Sequence, residues 1–186
     1  MKFLILVFLS VFSFGCASVV VPTSLSGTAR LTDNEVAILW PSSIVSLFSY
    51  NDQDLTEAGI NSPVIRDVPG IKRLKFSSYA AKLYKDIGDH KKGDYVSLYI
   101  DTTVDMKAGY SYTLEFVGGN DLAYDVNSKL CIYEEQHNAE GSSVSSNGAI
   151  RKQSDNAKLV NCTPGELVKL EVVEYGLGDL FKDLTK

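Results

Sequence analysis

Tyr95-Val96-Ser97-Leu98-Tyr99-Ile100-Asp101-Thr102-Thr103-Val104-Asp105-Met106 decides the fold. Val96, Leu98, Ile100, Thr102, Val104 and Met106 fall on one parity. Ser97, Asp101, Thr103 and Asp105 fall on the other, together with Tyr95 and Tyr99. Strand side chains alternate between two faces, so strict period two over a dozen residues predicts a half-buried strand. Lys107-Ala108-Gly109 then turns the chain, and Tyr110, Tyr112, Leu114 and Phe116 alternate against Ser111, Thr113 and Glu115. The two runs predict a hairpin, with Tyr110 and Tyr112 in the core.

Outward from this pair the same signal recurs. Glu35–Trp40 and Ile44–Tyr50 flank the turn Pro41-Ser42-Ser43. Val64–Val68 leads through Pro69-Gly70 into Ile71–Phe76, and Lys129–Glu134 and Glu166–Glu174 complete the set. About eight short strands separated by turn residues predict an all-β chain, an antiparallel β-sandwich. Helical spacing is confined to Tyr79–Lys85, two turns at most, and to Leu177, Leu180, Phe181 and Leu184, a short C-terminal helix.

The first residues are read apart from the fold. Lys2 precedes the apolar run Phe3–Leu9, then Val11-Phe12, and the small residues Gly15-Cys16-Ala17 follow. This is the n-region, h-region and cleavage zone of an export signal, too short to span a bilayer. Cleavage before Cys16 gives a lipid-modified N-terminus, whereas cleavage after Ala17 gives a soluble one. The Gly15-Cys16 junction resembles the signals of bacterial lipoproteins. That resemblance implies residues 1–15 as signal peptide, Cys16 as the acylated residue and a membrane anchor facing the periplasm or the cell surface. On this reading residues 16–32 form a tether, with Ser18–Thr32 alternatively a first edge strand, and residues 33–186 form the sandwich domain.

Cys131 and Cys162 remain as an even pair in an exported chain, and oxidising compartments favour disulfides. Their link would close a loop of about 30 residues, worth roughly 3–4 kcal/mol in the chain-entropy model. The stretch enclosed, Gln136–Lys158, is rich in Ser and Gly and has little to bury. Neither cysteine lies in a C-x-x-C or near a histidine pair, which argues against zinc.

The formal charge is −5 over 186 residues, with 45% hydrophobic composition. These values exclude a disordered chain and a generally basic nucleic-acid binder. Charge is nevertheless segregated. Lys72, Arg73, Lys75, Lys82, Lys85, Lys91 and Lys92 against Asp86 and Asp89 give +5 within residues 72–92. Such a field orients a protein toward an anionic lipid or glycan surface or an acidic envelope protein. The competing reading is edge lysines that discourage sheet-to-sheet aggregation.

Pro69-Gly70 before an alternating strand, followed by Lys107-Ala108-Gly109-Tyr110-Ser111-Tyr112-Thr113-Leu114, is similar to small bacterial envelope lipoproteins carrying a PEGA-like or transthyretin-like β-sandwich. The similarity covers roughly Glu35–Glu135 and implies a non-catalytic extracytoplasmic domain. It assigns no functional residues.

Motifs for catalysis are absent: no G-x-S-x-G, H-E-x-x-H, Walker or dinucleotide glycine pattern occurs. No cofactor is expected. His90 and His137 are the only histidines, both in polar stretches, and a periplasmic or secreted hydrolase built on serine and one of them is the alternative function. Asn51, Asp52, Asp54 and Glu57 are oxygen-rich and read first as a solvated turn, with calcium as the other option.

Overall fold

In the computed structural model, residues 23–25, 27–41, 45–57, 64–78, 81–118, 128–145 and 150–170 are described. The signal segment, Cys16 and the C-terminal helix expected around Leu177–Leu184 lie outside them. The strands, in chain order, are β1 (Thr23–Ser24), β2 (Ala37–Leu39), β3 (Val45–Tyr50), β4 (Gln53–Asp54), β5 (Ile65–Asp67), β6 (Gly70–Ser78) and β7 (Ala81–Lys82). They continue as β8 (Tyr95–Met106), β9 (Tyr110–Val117), β10 (Lys129–Gln136), β11 (Ser143–Val144), β12 (Arg151–Lys152), β13 (Lys158–Pro164) and β14 (Glu166–Lys169). Thr28–Arg30 and Asp33–Glu35 are single 3-10 turns.

Two open sheets face each other. The first runs β1-β5-β2-β9-β10-β13; the second runs β14-β8-β6-β3-β4, with β7 also beside β8. Their inner faces meet in one cluster. Leu39, Ile65, Tyr112, Leu130 and Ile132 come from the first sheet, and Leu74, Phe76, Leu98, Ile100, Val104 and Met106 from the second. Each of these is at most 2% exposed, and full burial of such a side chain contributes about 1.5–3 kcal/mol. The all-β sandwich expected from the alternation is therefore present. It is not antiparallel throughout: β1/β5 and β2/β9 run parallel. Parallel neighbours need a long crossover, and here the chain between β2 and β9 makes it by passing through the second sheet.

The expected hairpin of β8 with β9 is not formed. β8 pairs with β6, β7 and β14, whereas β9 pairs with β2 and β10. Lys107-Ala108-Gly109 instead carries the chain from one sheet across to the other. Gly109 takes φ 80°, and its N–H donates to Val36 O at 2.8 Å, while the Lys107 N–H donates to the Tyr112 hydroxyl at 2.8 Å. Alternation states which face of a strand is buried and is silent about its neighbour. Two strands facing each other across a core carry the same pattern as two lying side by side.

A tight hairpin does join β3 to β4. Asn51 and Asp52 both adopt positive φ, 50° and 63°, the conformation a two-residue loop of type I′ demands. The helical turns expected in Tyr79–Lys85 are also absent from its described part, where Ala81–Lys82 pairs with Val96 and Tyr95. Leu83 and Ile87 are buried with Val96 in a small satellite core. Their spacing of four imitates a helix, but a loop folding over the end of β8 satisfies it too.

Cys131 on β10 and Cys162 on β13 stand directly opposite in register and form a disulfide, with a Cα–Cα distance of 4.0 Å. β13 was not foreseen from the sequence. After it, Gly165 lets the chain pass into β14 on the other sheet; a Cβ there would lie 2.3 Å from Leu98 Cδ1.

Candidate functional site

Among the described residues, a concavity lies where β10 ends and β9 begins. A cavity of about 400 Å³ is lined by Lys107, Tyr110, Glu134, Glu135, Gln136, Asn156 and Lys158, among others. It shares Tyr110 and Gln136 with a neighbouring hollow of about 290 Å³ bounded by Asn34, Gly109 and His137. Together they make a polar cleft.

The cleft is lined by two consecutive glutamates just before the last residue of β10. In Leu130-Cys131-Ile132-Tyr133-Glu134-Glu135, period two puts Leu130, Ile132 and Glu134 on the inner face and Cys131, Tyr133 and Glu135 on the outer one. Both carboxylates are nonetheless buried, at 5% and 6% exposure. Buried charges persist only when paired and hydrogen-bonded.

Glu134 is met by Lys107 Nζ at 2.7 and 2.9 Å and by the Tyr112 hydroxyl at 3.3 Å, with Lys158 Nζ at 3.8 Å. The hydrogen bond to Glu134 raises the Lys107 pKa above the ordinary lysine range. Burial, more than Glu134, pushes the Tyr112 phenol up. Lys107 also stands 5.5 Å from the centre of the Tyr110 ring.

Glu135 faces the opposite side, beneath the loop that follows β10. Arg151 Nε donates to its Oε1 at 2.9 Å, and the Ser154 backbone N–H donates to Oε2 at 2.9 Å. Burial raises this carboxyl, but the Ser154 hydrogen bonds and Arg151 outweigh it and hold the pKa below the usual value. Arg151 in turn donates to His137 O and Ser142 Oγ, both at 2.9 Å, and lies 6.0 Å over the Trp40 ring.

His137 touches Ser111. Nδ1 is 2.9 Å from Ser111 Oγ, and Nε2 lies 2.9 Å from Asp33 O and 3.2 Å from Val36 O. Carbonyls only accept, so Nε2 carries the proton and Nδ1 accepts from the serine. Ser111 is 1% exposed, and its oxygen also accepts from the Trp40 indole at 3.3 Å. The pair ties a loop to the sheet. His90 is bound through Nε2 to Leu167 O at 3.2 Å.

The seven basic residues are not brought onto one surface. Lys72 shares the inner parity of Leu74 and Phe76, is 6% exposed, and pairs with Asp67 at 2.7 Å. Arg73 is held by Asp101 through two bonds of 3.0 and 2.7 Å, and Lys75 by Asp52 at 2.9 Å. Lys82 at the end of β7 and Lys85, Lys91 and Lys92 in the loop that follows it to Asp94 are exposed, with Lys91 Nζ 4.0 Å from Asp86 Oδ2.

The oxygen-rich turn is likewise engaged with the protein itself. Asn51 Oδ1 accepts from Arg73 N at 3.0 Å, Asp52 faces Arg73 and Lys75, and Asp54 Oδ1 accepts from the N–H groups of Thr56 and Glu57. Among the described residues, no three His, Cys, Asp or Glu side chains come together as a metal-holding group.

No family model, curated protein or solved structure matches the chain. The site therefore rests on its own geometry. That geometry offers a polar cleft lined by Glu134 and Glu135, by Lys107 and Lys158, and by amide and hydroxyl groups.

Proposed function

We propose that the chain is an exported bacterial envelope lipoprotein, anchored through Cys16, whose sandwich is a non-catalytic binding or structural module with the polar cleft as its recognition site. The observation that carries this reading is the Cys131–Cys162 disulfide, which belongs in an oxidising compartment and agrees with the signal-like segment ahead of Cys16. The exposed Lys82, Lys85, Lys91 and Lys92 would turn one end of the anchored domain toward an anionic lipid or glycan surface. An exposure of only 1% at Ser111 favours the non-catalytic reading over the hydrolase alternative, because a nucleophile must reach its substrate.

Metabolic labelling of expressing cells with a fatty-acid probe tests the anchor. Wild-type protein should carry the label and fractionate with membranes, and Cys16→Ser should do neither. Unlabelled wild-type protein found free in the soluble fraction would refute the proposal.

A further inference from the structure

Away from the cleft, Tyr50, Asp67 and Lys72 meet between the sheets. Asp67 ends β5 in the first sheet, while Tyr50 and Lys72 belong to β3 and β6 of the second. Lys72 Nζ stands 2.7 Å from Asp67 Oδ2, with side-chain exposures of 7% and 1%. The Tyr50 hydroxyl donates to the same oxygen at 3.0 Å, and the Val68 N–H donates to Oδ1 at 2.8 Å. An ammonium has three donors, yet among the described residues Asp67 is the hydrogen-bond acceptor Lys72 is given. Lys72 Nζ also lies 6.0 Å from the centre of the Tyr50 ring.

We propose that Lys72 and Asp67 condense into an intramolecular isopeptide bond that joins the two sheets covalently. Proton transfer from the ammonium to Oδ2 first gives an amine and a carboxylic acid, removing two charges from a dry site where charge is costly. The reacting groups are held side by side: Cγ lies one bond beyond the oxygen that Nζ touches, and held partners react far faster than free ones. The Nζ lone pair attacks Cγ, and the displaced π pair moves to Oδ1, where the Val68 N–H stabilises the developing charge.

The tetrahedral adduct then collapses. The Cγ–Oδ2 bond breaks, and Oδ2 leaves as water with its own proton and a second one. Tyr50 supplies that second proton and recovers one from Nζ. The net change is amine plus acid to amide plus water, with no oxidant, metal or cofactor.

The test is mass mapping of wild-type protein purified from cells. The protein is denatured, reduced, acetylated on its amines and digested with trypsin. The bond predicts a peptide Asp67–Arg73 lighter by one water, uncut after Lys72 and unacetylated there. Asp67→Asn should give the same link with loss of ammonia instead, and Lys72→Arg should show full mass. A wild-type peptide of full mass with acetylated Lys72 would overturn the proposal. So would one lighter by a water but acetylated at Lys72, since that marks a succinimide at Asp67.

Discussion

Arg151→Met removes the cation that lets Glu135 stay buried. Both side chains of the pair are 4% exposed. Methionine fills part of the space over Trp40 but offers no donor, so Glu135 keeps the Ser154 hydrogen bonds and loses its cation, and His137 O and Ser142 Oγ lose a partner. Breaking a buried ion pair from one side costs about 3–5 kcal/mol, a large share of the roughly 5–15 kcal/mol that holds a domain folded. With a urea slope of about 1–3 kcal/mol per molar, the midpoint should fall by roughly 2 M. Trp40 is the single tryptophan and lies under Arg151, so its fluorescence reports the transition directly.

The pH dependence follows from the direction of the shift. In the wild type Glu135 is held below its ordinary range. Its contribution is therefore complete above the unfolded carboxylate pKa and is lost as the pH falls through the folded one. In Arg151→Met burial dominates and raises the folded value, so the penalty is full at neutral pH and shrinks toward about pH 4. Glu135→Gln with Arg151→Met should recover most of the loss, because a neutral amide needs no counter-ion. A loss below about 1 kcal/mol at pH 7, the range of an exposed pair, would refute the reasoning.

Replacing Cys131 and Cys162 together by alanine should cost about 4 kcal/mol, from a closed loop with a sequence separation of 31, and should lower the melting temperature only when the wild type is kept oxidised. The mature chain carrying Cys16→Ser should sediment with anionic but not neutral vesicles, and binding should weaken as salt shortens the Debye length from about 10 Å at 0.1 M to about 3 Å at 1 M. Glutamine at Lys82, Lys85, Lys91 and Lys92 together should abolish that selectivity; equal binding to both vesicle types would remove the surface from consideration.

What was legible in the sequence were the properties fixed by parity and by composition. Tyr95–Met106 is a strand over its full predicted length, with alternate residues buried, and the two cysteines pair as the export context suggested. Partner choice was not legible, because period two is blind to whether β9 lies beside β8 or opposite it. Lys72 shows the complementary error: lysine was read by charge, whereas its parity with Leu74 and Phe76 sends it inward to Asp67. The same parity held an unread signal at Glu134-Glu135. Two adjacent carboxylates at the end of an apolar strand place one on each face, so at least one must be paired under cover. Its partners Lys107 and Arg151 are distant in sequence and brought in by the fold, and no local pattern announces them.

The disulfide also divides the molecule mechanically. A protein anchored at its N-terminus and loaded at its far end transmits tension along its backbone until a covalent shortcut intervenes. The Cys131–Cys162 link is such a shortcut, so residues 132–161 hang outside the force path. Glu134, Glu135, His137, Arg151 and Lys158 all lie in that bypassed segment. Pulling on the chain would load β14 against β8 while the segment carrying these five residues stayed slack, and Lys107 and Tyr110 across the cleft would remain in the loaded chain.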